Sequence, residues 1–200
     1  MKTNSWFAGP LIGILVLTVL CGPTAPAQTA DAPAHGRPFF MPQQERARIR
    51  QLIATQEWAK ADYESVQQAA RKGDGFLAAF LYALDGDPSY VPIAQKWLLE
   101  SFGTKAGTTR RARGALENPN FFKGGVPHLS DVFYDTDFNP YLAFDWVYAG
   151  LEPVARQEIQ AGISAFMHFK MRCMDRWTQT ANLVFKPTSI VAFAGLAIQE

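Results

Sequence analysis

Cysteine is scarce in this chain: the 200 residues include two, Cys21 and Cys173. Cys21 falls in an N-terminal segment that reads as removable. That leaves Cys173 alone, which excludes an internal disulfide and a cysteine-based zinc site. An excess of one charge is also missing. Removing residues 1–27 takes away Lys2, one of 19 basic residues, and none of the 18 acidic ones, so the formal charge of the mature chain is zero. A nucleic-acid binder normally presents a basic face, and without a global field any acidic ligand has to be recognised in a local cleft. No stretch alternates with period two for long enough to form a strand. No apolar run reaches the roughly 20 residues that a membrane-spanning helix needs. What remains is a globular composition, 48% hydrophobic and 18% charged, in which core packing has to supply the stability.

The N-terminus has the three parts of a secretory signal peptide. Lys2 gives a weak positive start, residues 6–20 form an apolar stretch interrupted by Gly9, Pro10 and Gly13, and Ala25-Pro26-Ala27 is a small-x-small cleavage site. Cleavage after Ala27 predicts a periplasmic or secreted protein with no membrane attachment once the signal is gone. A lipoprotein reading of Cys21 is disfavoured by Leu20, which stands where a small residue is normally wanted. Residues 28–36, rich in Ala, Pro, Thr and Gly, read as a flexible lead-in.

From residue 37 onward the pattern is helical. "RPFFMPQQERARIRQLIATQEWAKADYESVQQAARKG" predicts one helix opening at Pro42 and burying Ile49, Leu52 and Ile53, then a second from about Trp58 to Ala70 that stops at Gly73. "DGFLAAFLYALDGDPSYVPIAQKWLLESFG" predicts a helix, a polar turn over residues 85–89 and another helix ending at Gly103, an αα-hairpin. Residues 104–140 carry Gly107, Gly114, Pro119, Gly124, Gly125, Pro127 and Pro140 with no clear period, and predict a long loop. Its aromatic content, Phe121, Phe122, Phe133, Tyr134 and Phe138, marks it as functional. Helix resumes at "YLAFDWVYAGL" and again after Pro153, with Val154, Ile159, Ile163, Phe166 and Met167 facing inward. A polar turn, "DRWTQTAN", precedes a last helix after Pro187 that buries Ile190, Phe193, Ala194, Ala197 and Ile198. No Gly, Asn or Pro ends that helix, so the chain reads as cut within it. The fold class is all-α, built of antiparallel helix hairpins.

The order of these segments resembles a known family. "RPFFMPQQERARIRQLI", "WAKA", "FLYALDGDPSYVPIAQKWLL", "YLAFDWVYAGLEPVARQEI" and an Asn ahead of "SIVAFAGLAI" look like the N-terminal half of a heparinase II/III-like or alginate-lyase-like polysaccharide lyase, over residues 37–200. The resemblance implies an α/α toroid followed by a β-sandwich. No sandwich is present in this sequence, so residues 37–200 are expected to form part of an incomplete toroid. It further implies β-elimination at a uronic acid of an acidic polysaccharide, with no cofactor or metal. That reaction neutralises the substrate carboxylate to acidify the α-proton, removes the proton with a base, and protonates the leaving oxygen with an acid.

Asn182 resembles the family's neutralising Asn, and the alternative is a helix N-cap or Asx-turn residue. In the family a His often follows it, whereas here Leu183 does. His128 is a candidate base or carboxylate donor, against the plainer reading of an exposed loop histidine. Tyr134 is a candidate phenolic acid or base, against an aromatic that merely covers the core. Arg176 can hold a carboxylate bidentately, and Trp177 can stack on a sugar face. Trp146 joins them as a substrate-binding candidate, although Trp146 and Tyr148, two apart on a helix, point to different faces and one of them belongs to the core. Asp145 resembles a family Asp with a packing role. Asp131, Asp135 and Asp137 read as turn formers in preference to calcium ligands, and His168 as a surface or core residue. Three function classes follow: a lyase fragment; a non-catalytic helical module binding glycan or protein; and, ranked last, a glycoside hydrolase, because Asp131 to Asp137 are too clustered to flank a bond. Oligomeric state is not encoded in any signal found.

Overall fold

The computed structural model describes residues 38–121, 123, 137–174 and 181–198, without the side chains of residues 181–187. The predicted signal peptide and lead-in lie outside this range. Among the described residues there is helix and no strand, so the chain is all-α.

Two helices open the fold: α1 (Gln43–Thr55) and α2 (Glu57–Arg71). Pro42 stands at the N-cap of α1 with φ −63°, an angle its ring imposes. Ile49 is buried, and Leu52 and Ile53 are half-buried. Gly73 follows α2 at φ +105°, a left-handed turn that glycine adopts without a Cβ penalty. The next helix, α3 (Gly75–Asp85), is capped by Asp74, whose carboxylate accepts the Leu77 N–H at 3.0 Å. It buries Leu77, Ala78, Ala79, Leu81, Ala83 and Leu84, the all-round apolar pattern of a central helix. It packs on α2, on α4 (Val91–Phe102) and on α6 (Asn139–Val147). The α3/α4 hairpin is the predicted one: Gly86 turns at φ +78° and Asp87 accepts the Ser89 N–H at 2.9 Å.

Residues 104–140 are not the continuous loop that their composition predicts, because α5 (Gly107–Glu117) lies inside them. It is a poor helix by propensity, with two glycines, and tertiary packing holds it. Ala112 and Ala115 are buried against Phe166, Phe169 and Cys173, with Phe121 packed on the same cluster. All three of those buried partners sit on α7 (Pro153–Met174), a helix of 22 residues and about 33 Å.

The helices α4 and α5 follow one another along α7. At one end the Glu152 N–H donates to Gln95 Oε1 at 3.2 Å. Midway, Gly162 lies so close to α4 that a Cβ there would be 2.0 Å from the Phe102 carbonyl oxygen. At the far end Arg172 Nη1 donates to the Leu116 carbonyl at 3.4 Å. Ala155, Ile159, Ile163, Phe166 and Met167 face inward, but Val154 is 77% exposed, contrary to expectation. The buried stripe starts at Ala155 and repeats every three or four residues, so Val154 shares the outward face with Glu158, one turn on.

The last helix, α8 (Ala181–Ile198), packs on α7 and α6. It buries Ile190, Ala194, Ala197 and Ile198 as predicted. It also starts earlier than predicted and runs through Pro187, although proline has no N–H for the carbonyl one turn before it. Contacts along α7 outweigh that local loss.

Candidate functional site

The short α6 is buried on every side, and its sequence places a carboxylate among apolar residues. Asp145 is 7% exposed, and its two oxygens accept the N–H groups of Phe39 and Phe40 at 2.9 Å each. Burial pushes its carboxyl up to about 6, against the two N–H donors that pull it down. Asp145 therefore fastens the start of the folded chain. The ring of Phe40 stacks on Phe193 of α8 at 5.2 Å, and Phe138 meets the same ring at 4.7 Å. The packing role expected of Asp145 is this clasp.

Trp146 is 3% exposed, with Phe76 and Phe80 at ring distances of 5.3 and 5.7 Å. This corrects its assignment as a substrate platform: a ring with no free face cannot stack on a sugar. Tyr148, two positions on, is half-buried, its ring under the Arg156 guanidinium at 4.5 Å. Of the other candidates, His128, Tyr134, Arg176 and Trp177 lie outside the described residues, as do Asp131 and Asp135. His168 is exposed.

Asn182 is the second residue of α8, within the first turn and not at the cap ahead of it. Residues 175–180 link α7 to α8, which pack on each other and so run antiparallel. The first turn of α8 thus lies toward the C-terminal end of α7, the end at which Arg172 donates to Leu116 of α5. First-turn N–H groups have no intrahelical acceptor and carry the positive end of the helix dipole, which favours an anion there.

Sequence reading missed two features. The first is Lys170, fully buried on α7 with Nζ 4.6 Å from the centre of the Phe166 ring. The signal was present, because 159, 163, 166, 170 and 173 form one stripe and a lysine occupies it. The second is a cleft of about 360 Å³ where α4 ends and α5 and α6 begin, lined by Trp97, Glu100, Thr108, Asp137, Tyr141 and Phe166 among others. Thr109 braces its wall by donating to the Ser101 carbonyl at 3.2 Å, and Asp137 accepts the Asn139 N–H at 2.9 Å. A shallower groove of about 670 Å³, lined by Gln95, Lys96, Lys105 and Glu158, continues from it across Glu100, Ala106 and Gly107. The Glu158 carboxylate is engaged there: it accepts the Thr104 N–H at 2.6 Å and the Thr104 hydroxyl at 2.9 Å, which hold its carboxyl below the usual range. Among the described residues no group of three or more His, Cys, Asp or Glu side chains converges as metal ligands. No protein-family model, curated protein or solved structure matches this chain.

Proposed function

We propose that the chain is the helical part of an exported polysaccharide lyase that cleaves a uronic-acid-containing polysaccharide by β-elimination, its hairpins forming part of an α/α toroid and its site of action periplasmic or extracellular. The observation that carries this reading is the position of Asn182 in the first turn of α8. An amide donor there, beside unsatisfied backbone N–H groups, neutralises a uronate carboxylate and acidifies the adjacent α-proton. A base takes that proton, the bond to the β-oxygen breaks, a double bond forms, and an acid protonates the departing oxygen. His128 and Tyr134 are the candidates for these two transfers, with Arg176 and Trp177 holding the sugar.

A second reading, a helical module that binds glycan or protein without cleaving it, is favoured by Leu183, which stands where the resembling family often has His. In the full-length protein, Asn182→Ala separates the two. Because Asn182 lies inside the first turn and not at the cap, its replacement by Ala should change stability by less than about 1 kcal/mol, whereas loss of the carboxylate donor should abolish most formation of unsaturated uronate, read by ultraviolet absorbance. Unchanged product formation, or a thermal melt that collapses in step with activity, would leave Asn182 a structural residue and the binding module ahead.

A further inference from the structure

We propose that the cleft where α4, α5 and α6 meet binds an uncharged, hydroxyl-rich sugar unit, at a place distinct from the Asn182 turn. Its volume, about 360 Å³, falls in the range of small-molecule sites, roughly 300–1,000 Å³. One wall is the half-buried Trp97, set by its packing on Phe76 at 6.4 Å. Gly75 is required behind it, because a Cβ there would lie 2.2 Å from the Trp97 Cβ. Such a ring offers a flat apolar face to pyranose C–H groups.

The polar groups divide into acceptors and donors. Glu100 makes no hydrogen bond among the described residues, and Asp137 commits one oxygen, Oδ1, to Asn139. Against them stands the first turn of α5. Ala106 occupies its cap and has no side-chain oxygen to offer, so the N–H groups of Gly107 and Thr108 are uncapped. Thr108 adds a hydroxyl that donates and accepts.

Charge selects among ligands. Among the described residues no lysine or arginine lines this cleft, Lys96 and Lys105 lining the adjoining groove instead, so the charges on its own wall, Glu100 and Asp137, repel an anion. The uncapped helix start repels a cation. A neutral polyol satisfies both halves, since each hydroxyl donates to a carboxylate and accepts from an N–H. A uronate belongs elsewhere: Phe166, on the cleft wall, lies about 12 Å along α7 from Met174, beyond which the chain leads to Asn182. The inference therefore does not rest on the lyase reading.

The test uses the whole chain, titrated by calorimetry and by saturation-transfer NMR with lactose and methyl β-glucoside as uncharged probes and sodium glucuronate as the anion. Binding of the uncharged probes in the millimolar range, with glucuronate at least about tenfold weaker, is expected. Glu100→Ala should weaken the uncharged probes about tenfold, the effect of losing one hydrogen bond to a charged group, with an unchanged melt because Glu100 is exposed. Glu100→Gln should keep them within a few-fold and narrow the gap to glucuronate. Glucuronate binding as tightly as lactose, no uncharged probe binding, or indifference to Glu100→Ala would each overturn the proposal. Polymer cleavage by the full-length protein without lactose binding would sink this inference alone, and lactose binding without cleavage by the full-length protein would sink the lyase reading alone.

Discussion

Asp145 is pulled two ways: it is buried, which favours its neutral form, and it accepts two backbone N–H groups, which favour its charged form. Burial wins, and the consequence has a definite sign. The folded-state value of about 6 stands above the ordinary value of 3.8. Between these the folded chain holds a proton that the unfolded chain has released, so this group's contribution to stability falls as pH rises from about 4 to about 6 and is level above. The total is roughly 3 kcal/mol. Asp145→Asn removes the titration and sets an amide N–H₂ against one of the Phe39 and Phe40 donors. The stability of the natural protein minus that of Asp145→Asn, from urea unfolding at a series of pH values, should therefore decline across the window. A flat or rising difference would show that burial does not govern this carboxyl.

At the scale of the element, the close approach of α4 to α7 decides where the cleft forms, and Gly162 permits it. The obstacle to a Cβ there is backbone, the Phe102 carbonyl at 2.0 Å, which cannot rotate away. Gly162→Ala gains up to about 1 kcal/mol of helix propensity, yet overpacking costs typically 1–3 kcal/mol and here displaces a helix end. Net destabilisation of up to about 2 kcal/mol is expected in chemical denaturation. Gly114→Ala is the matched control: it lies on the exposed face of α5, where a Cβ meets nothing within 4 Å, and should stabilise by up to about 1 kcal/mol. Equal effects at the two positions would mean that α4 and α7 do not touch as described.

Across the whole molecule, the expectation that depends on the most residues is export with cleavage after Ala27. N-terminal sequencing of protein recovered outside the cytoplasm should begin at Gln28; retention of residues 6–20 would refute it.

Most of the helices were legible in the sequence because their signals are local. Pro42, Asp74, Gly73, Gly86 and Gly103 punctuate α1 to α4 through dihedral limits and caps that act within a turn, and apolar spacing along α7 and α8 marks which faces go inside. The all-α class follows from these alone. The site was less legible. Only tertiary contact made α5 a helix, since its glycines and arginines carry no apolar period and its reward is two alanines against Phe166, Phe169 and Cys173, more than 50 residues away. Only tertiary contact carried α8 through Pro187, drew Trp146 off the surface, and brought Asp145 to Phe40 across a separation of 105 residues. Propensity and capping are summed over a few neighbouring residues, whereas burial depends on which distant helix arrives. The sequence alone therefore determined most of the helices and their turns, and the packing of α4 and α5 along α7 decided that α5 is a helix and which side chains are enclosed.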